Sequence, residues 1–110
     1  MKFGLPESVI EKINTVLSCY EQVEEAILYG SRAKGTQKNG SDIDLTLRGT
    51  TELTQFVLFR ILEDLDDLLL PYTIDLSVYA DIADPELTEH IQRVGVEFYK
   101  KIKAVTPACR

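Results

Sequence analysis

Residues 42–48 alternate strictly between polar and apolar side chains, and this pattern restricts them to a β-strand with one buried face. Asp42 and Asp44 share the polar side, opposite three aliphatic residues, Ile43, Leu45 and Leu47. Residues 73–79 repeat the alternation and place Asp75 on their polar side. Aspartate is disfavoured in strands, so three aspartates on two short strands indicate a role other than folding.

The remaining patterns predict a small layered fold. A short apolar run predicts a first strand over residues 23–29. Apolar residues at helical spacing predict three helices, over residues 6–17, 52–69 and 85–102. A single helical turn is expected between Ser31 and Gly35. The order αβ(α)βαβα predicts an α/β (α+β) fold, with a small mixed three-stranded sheet packed against helices. We assign residues 1–103 to one domain and residues 104–110 to a flexible tail.

Composition narrows the classes of function. With 110 residues, 45% of them hydrophobic, the chain can build one modest core. Its net charge of −6 does not offer the basic surface that bulk nucleic-acid binding needs, although a metal ion can offset the charge of an NTP. We find no secretory signal and no apolar run near the roughly 18 residues of a membrane span. We therefore expect a cytoplasmic protein without membrane association, with Cys19 and Cys109 as free thiols.

The Gly30-Ser31 turn and the aspartates meet if the strands are connected in the usual way. If the helix over residues 52–69 is a crossover, the second and third strands run parallel, and Asp75 approaches Asp42 and Asp44. If the first strand runs antiparallel to the second, it delivers the turn to the same edge of the sheet. All of these elements would then converge on one point.

Such a convergence favours phosphoryl chemistry. Clustered carboxylates repel one another unless a cation binds, and hard oxygen ligands suit Mg²⁺ or Mn²⁺. Two such ions can clamp the attacking and leaving oxygens of an in-line displacement. Glycine lets the backbone approach phosphate closely, and Ser31 adds its hydroxyl to the N–H groups of the turn.

The same residues carry a family resemblance. Gly30-Ser31, followed after ten residues by Asp42-Ile43-Asp44, resembles the signature of the polymerase-beta-type nucleotidyltransferase superfamily. The wider text of residues 28–35 and 41–45 resembles its minimal nucleotidyltransferase (MNT) branch. Tyr72–Leu76 is similar to that branch's third-carboxylate strand, and Leu87–Tyr99 to its closing helix.

The resemblance implies a nucleotidyltransferase fold and specific roles. Asp42 and Asp44 would hold two Mg²⁺ or Mn²⁺ ions, and Asp75 would complete the second site and help to activate the acceptor oxygen. Gly30 and Ser31 would hold the triphosphate of ATP or another NTP. The family's reaction is attack of an acceptor hydroxyl on the α-phosphorus, which releases pyrophosphate.

The resemblance also implies a partner. MNT proteins are typically paired with a helical HEPN protein in a toxin–antitoxin system, in which the MNT member neutralises the HEPN ribonuclease by binding it or by adding AMP to it. The helix over residues 52–69 is apolar over more than half of its circumference. Either the domain covers both apolar sides or one side meets another chain, so a homo- or hetero-oligomer is open. A non-catalytic binding antitoxin and a small-molecule nucleotidyltransferase remain as alternatives.

Three further polar residues need an interpretation. Arg32 and Lys34 follow Ser31 and could touch phosphate, although exposed charges on a turn are more often only solvated. His90 is the chain's one histidine. We interpret it as a helix-surface or packing residue, with a catalytic role as the alternative.

Overall fold

The architecture is that of a computed structural model, which describes residues 2–101. The main elements of this range are α1 (Glu7–Ser18), β1 (Val23–Tyr29), α2 (Ser31–Lys34), β2 (Ile43–Gly49), α3 (Gln55–Asp66), β3 (Ile74–Val78), α4 (Pro85–Val94) and β4 (Val96–Lys100). A 3-10 turn, Tyr79–Asp81, follows β3. The mixed α+β class predicted from the sequence is confirmed.

The strands form one mixed sheet in the order β3-β2-β1-β4. β1 pairs antiparallel with both β2 and β4, while β2 pairs parallel with β3. α3 is the crossover between the two parallel strands, and it packs against β3. Both conditions for convergence of the predicted site are therefore met.

The segment after α4 differs from the prediction. We expected one helix over residues 85–102, but α4 ends at Val94 and β4 follows it, so the sheet has four strands rather than three. Spacing alone misleads here because Phe98 lies four residues after Val94, as in a helix, and two residues after Val96, as in a strand. The free edge of β1 decides between them. Ile102, the last residue of the predicted helix, lies outside the described residues.

The core fills the space between one face of the sheet and the helices α1 and α3. α1, β2 and α3 contribute fully or nearly fully buried aliphatic residues, among them Ile13, Leu17, Ile43, Leu45, Leu47, Leu58, Ile61 and Leu65. α3 begins later than predicted because the Thr54 hydroxyl accepts a hydrogen bond from the Val57 N–H and caps the helix. Phe56 and Phe59 remain 70% and 62% exposed, so one apolar side of α3 is uncovered in the single chain.

Three other predictions concern the cysteines, the C-terminal tail and membrane association. Cys19, at the end of α1, is disulfide-bonded, so the prediction of a free thiol there is wrong. Distance along the chain does not determine distance in space, so the spacing of the cysteines in the sequence could not predict this bond. Cys109 and the tail predicted over residues 104–110 lie outside the described residues. Within the described range, every helix is too short or too polar to cross a membrane.

Candidate active site

The sheet places the predicted carboxylates side by side on one face. Asp44 on β2 is in register with Asp75 on β3, and on its other side it is in register with Tyr29, the last residue of β1. Asp42 lies two residues before Asp44, just ahead of β2. Asp42 and Asp75 are exposed and Asp44 is half-buried between its neighbours. This face is opposite the core, because alternate residues of β2 point to the two sides of the sheet.

Gly30 brings the turn after β1 against these carboxylates. Its backbone lies at φ +77° and ψ −154°, a conformation that is essentially restricted to glycine. A Cβ atom built at Gly30 would overlap Oδ2 of Asp44. The absent side chain is thus what lets Ser31 and the first turn of α2 lie beside β2. Gly30 and Ser31 are both half-buried.

Asp44 is the electrostatic centre of the site. Its pKa is raised above the ordinary aspartate value, first by burial and then by the negative charges of Asp75 and Asp42, while His90 acts in the opposite direction. Asp75 and Asp42 are therefore each close enough to Asp44 to repel its charge. The structure thus brings the three aspartates into one region, as the sequence predicts.

Tyr29, to which the sequence interpretation gave no role, and His90 also border this site. The ring of Tyr29 meets His90 edge-on, with 6.3 Å between the ring centroids. Burial raises the pKa of Tyr29, and the charges of Asp75 and Asp44 raise it further, while Ser77 opposes the shift. His90 therefore packs as interpreted, but it does so beside Asp44. The cross-strand position of Tyr29, adjacent to the Gly30 turn, was the available signal.

The Arg32 side chain is buried and does not point to the site. It is therefore neither a solvated surface charge nor a phosphate contact, the two roles that the sequence left open. Its side chain is only 4% exposed. Nε and Nη2 donate to the Ser41 carbonyl at 3.2 and 2.9 Å, and Nη1 donates to the carbonyls of Phe3 and Gly4 at 3.0 and 3.3 Å. The guanidinium also lies 5.2 Å from the centroid of the Tyr72 ring. Arg32 thus ties α2 to the segments before α1, β2 and β3.

Replacing Arg32 by lysine is expected to lower the free energy of unfolding by about 2–4 kcal/mol, because one ammonium group cannot satisfy carbonyls on two segments. The measurement is urea unfolding followed by circular dichroism. Lys34→Met is the matched control, since Lys34 is exposed on the same short helix. Equal stability of the Arg32→Lys variant and the wild type would show that the buried guanidinium does not hold the turn.

The donor chemistry at the three aspartates fits a divalent cation. Carboxylate oxygens are the ligands that Mg²⁺ and Mn²⁺ prefer, and Asp44 carries a repulsion that a cation would relieve. Over residues 2–101, however, the side-chain positions gather no three acidic, histidine or cysteine groups tightly enough to enclose an ion as they stand. A surface cavity of about 880 Å³ between α1 and α3 is lined by other residues. The carboxylates thus form an open site on the sheet rather than a closed cage.

Comparison with known proteins decides the family. Residues 11–104 match the model of the polymerase beta nucleotidyltransferase family. The chain belongs to this family. Nucleotidyltransferases of this type use an NTP and divalent metal ions. No curated protein matches the chain.

Several solved structures that contain a chain of the same fold are toxin–antitoxin complexes. A toxin–antitoxin with AMP-PNP aligns with a TM-score of 0.66 and 22% identity, over 91% of this chain and 77% of the other. A tri-AMPylated Shewanella oneidensis HEPN toxin in complex with its MNT antitoxin aligns with a TM-score of 0.64 and 17% identity, over 89% and 74%. The toxin–antitoxin MntA–HepT gives 0.64 and 17%, over 90% and 75%. At these identities the likeness establishes the nucleotidyltransferase fold.

Proposed function

We propose that this chain is a metal-dependent nucleotidyltransferase that moves a nucleoside monophosphate, in the first instance AMP, from an NTP to a hydroxyl group of a HEPN-type partner protein. In this role it is the antitoxin of a toxin–antitoxin pair. Membership of the nucleotidyltransferase family supports the reaction class. The complexes of its structural neighbours, one with AMP-PNP and one with a tri-AMPylated HEPN toxin, support the nucleotide and the partner.

One observation carries the proposal: the order of the functional groups across the sheet. Gly30 and Ser31 lie at the end of β1, Asp44 lies on β2, and Asp75 lies on β3. Because β2 lies between β1 and β3 in the sheet, Asp44 lies between the turn and Asp75. A triphosphate held at the Gly30-Ser31 turn would therefore lie next to Asp44. Because β3 is an edge strand, the exposed Asp75 would be open to an approaching acceptor.

The reaction follows this order. Asp42 and Asp44 would hold both metal ions, with Asp75 at the second, and the bound ions supply Lewis-acid stabilisation of the phosphoryl oxygens. The turn at Gly30 and Ser31 holds the triphosphate in line. The acceptor oxygen bonds to the α-phosphorus, the bond from that phosphorus to the β-phosphate oxygen breaks, and pyrophosphate leaves. Asp75 would help to activate the acceptor oxygen by taking its proton.

The deciding experiment is incubation with Mg²⁺, α-³²P-labelled NTPs and the HEPN-type protein encoded beside this chain. We expect label on the partner, with ATP as the best donor, and a loss of at least about a thousandfold in the Asp42→Ala/Asp44→Ala variant, because metal catalysis contributes several kcal/mol. Glu24→Gln is the matched control, because it removes an exposed carboxylate that lies away from the site.

The other outcomes assign the alternative functions. Partner binding that survives in both proteins without any label would reject the enzyme and leave a binding antitoxin. Turnover of a small hydroxylated molecule in the absence of the partner would instead indicate a small-molecule nucleotidyltransferase.

A further inference from the structure

His90 is a histidine whose ring nitrogens the folded chain itself does not use. It is the one histidine of the sequence, and it lies half-buried on α4. Over residues 2–101 its ring makes no hydrogen bond and no ion pair, and its ring contact is the edge-on packing against Tyr29. An imidazole carries at least one N–H donor, whether it is neutral or protonated. A half-buried donor of this kind, beside three carboxylates, is suited to binding a ligand.

The packing of α4 holds His90 in place. The next residue, Ile91, is only 2% exposed and anchors the helix against the sheet. At the end of the helix, Gly95 lies so close to β1 that a Cβ atom built there would overlap both the Ile91 carbonyl and the Ile27 side chain. The ring of Tyr29, which packs against His90, is itself buried. The position of the imidazole is therefore set by the fold before any ligand binds.

His90 lies on the opposite side of Asp44 from Asp75. α4 packs against β1, and the His90 ring meets that of Tyr29, which is in register with Asp44. Asp75 is in register with Asp44 from β3, on the other side. His90 lowers the pKa of Asp44, so these two side chains are near neighbours. The order across this face is therefore His90 with Tyr29, then Asp44, then Asp75.

The geometry of phosphoryl transfer gives this order a meaning. In an in-line displacement the attacking and leaving oxygens lie on opposite sides of the phosphorus. With the acceptor at Asp75 and the metal ions at Asp44, the leaving group would lie toward β1. The Gly30-Ser31 turn and His90 are both on that side.

Resting on the proposed function, we propose that His90 binds the departing pyrophosphate and is a catalytic residue on the leaving side of the reaction. When the bond between the α-phosphorus and the bridging oxygen breaks, its electron pair goes to that oxygen, which gains negative charge. The imidazole N–H donates a hydrogen bond to the pyrophosphate oxygens and keeps its proton. A fixed donor at the place where charge develops in the transition state accelerates the step. The ligand of this subsite is a diphosphate group.

The single histidine allows a direct measurement of this contact by NMR. In untagged protein with ¹⁵N-labelled histidine, every imidazole signal comes from His90. In the presence of Mg²⁺, we expect these signals to shift when inorganic pyrophosphate is added and also when AMP-PNP is added. Saturating AMP, which lacks the leaving group, should leave them close to their positions in Mg²⁺ alone. Signals that do not move at saturating pyrophosphate overturn the assignment, and so does a shift with AMP as large as that with pyrophosphate.

Two substitutions separate ligand binding from packing. His90→Phe keeps a ring against Tyr29 but removes both nitrogens, so the melting temperature should stay the same. Its Kd for pyrophosphate in Mg²⁺ should rise, and kcat/KM for ATP should fall, each by at least about tenfold. His90→Gln loses the ring but keeps an N–H donor, so it should melt earlier and yet bind pyrophosphate more tightly than His90→Phe. The reverse ranking of the two affinities would show that His90 serves packing alone.

Arg93→Gln is the matched control, because Arg93 is an exposed donor on the same helix and pairs with Glu89 at 3.0 Å. We expect no change in either measurement, and a loss equal to that of His90→Phe would trace the effect to the charge of α4 and reject the proposal. If the wild type transfers no label to the partner, the proposed function fails, while the pyrophosphate measurements still decide whether His90 binds a diphosphate. If label is transferred and His90→Phe matches the wild type, the proposed function stands and the role of His90 is rejected.

Discussion

Replacing Asp44 by asparagine is expected to abolish nucleotidyl transfer and at the same time to stabilise the metal-free protein. The carboxylate is half-buried between Asp42 and Asp75, and its raised pKa records the free-energy cost of charging it there. Asparagine keeps the shape and removes the charge. Transfer should fall at least about a thousandfold, because the loss of the proposed metal-ligating charge would remove several kcal/mol of transition-state stabilisation. Transfer assays and thermal melts in EDTA measure the two effects.

The stabilisation should depend on pH in a defined direction. Because the folded protein binds the Asp44 proton more tightly than the unfolded chain does, wild-type stability falls as the pH rises from the ordinary aspartate value of 3.8 through the raised pKa. The Asp44→Asn variant lacks this contribution. Its higher melting temperature should therefore be evident at neutral pH and should disappear in acid.

Two controls separate charge repulsion from a general effect of removing a carboxylate. Glu24→Gln removes an exposed carboxylate from β1 and should leave the melting temperature unchanged at every pH. Mg²⁺ with AMP-PNP should raise the melting temperature of the wild type and have little effect on Asp44→Asn, since a ligand stabilises only the state that binds it. A destabilised Asp44→Asn variant in EDTA would contradict the electrostatic interpretation of the site.

The site was more predictable from the sequence than parts of the fold, and the reason is the short range of its determinants. Alternation fixes that Asp42 and Asp44 share a face, and a glycine after a strand marks a turn. The right-handed crossover rule then brings Asp75 alongside them. Each step depends on local pattern or on a strong topological rule, and the register of Asp44 with Asp75 followed from them.

The features that could not be predicted depend on contacts between distant segments. β4 forms because β1 offers a free edge, although residues 94–98 fit helical and strand spacing equally well. Arg32 is buried because carbonyls from the N-terminal segment and from Ser41 surround it, and nothing in the local text distinguishes it from the exposed Lys34. In both cases tertiary structure overrides a local expectation.

Replacing Gly30 by alanine tests the closest contact of the site and should damage both folding and activity. Alanine is strained at φ +77° and ψ −154°, and its methyl group would overlap Oδ2 of Asp44. We expect the free energy of unfolding to fall by about 2–4 kcal/mol, the sum of backbone strain and overlap. Transfer should fall at least about a hundredfold, because either the turn or the carboxylate must move by a distance that matters to catalysis.

Gly35→Ala separates strain from overlap. Gly35 also has a φ of +77°, but no atom lies within 4 Å of a Cβ built there. Its replacement should cost only the strain of a left-handed residue, about 1–2 kcal/mol, and should leave transfer nearly intact. Equal losses of transfer in the two alanine variants would mean that the contact between Gly30 and Asp44 has no special importance.

A double-mutant cycle then identifies the partner in the overlap. In an Asp44→Ala background the carboxylate is gone, so the Gly30→Ala substitution should cost less stability than it does in the wild type, with only the backbone strain remaining. Urea unfolding of the four proteins gives the coupling energy. A coupling near zero would indicate that the turn and β2 are not in contact, and the ordering of phosphate turn, Asp44 and Asp75 across the sheet would lose its first member. A clear coupling would show that glycine at position 30 is required by the contact with Asp44 on β2, and that the Gly30-Ser31 turn packs directly against this carboxylate.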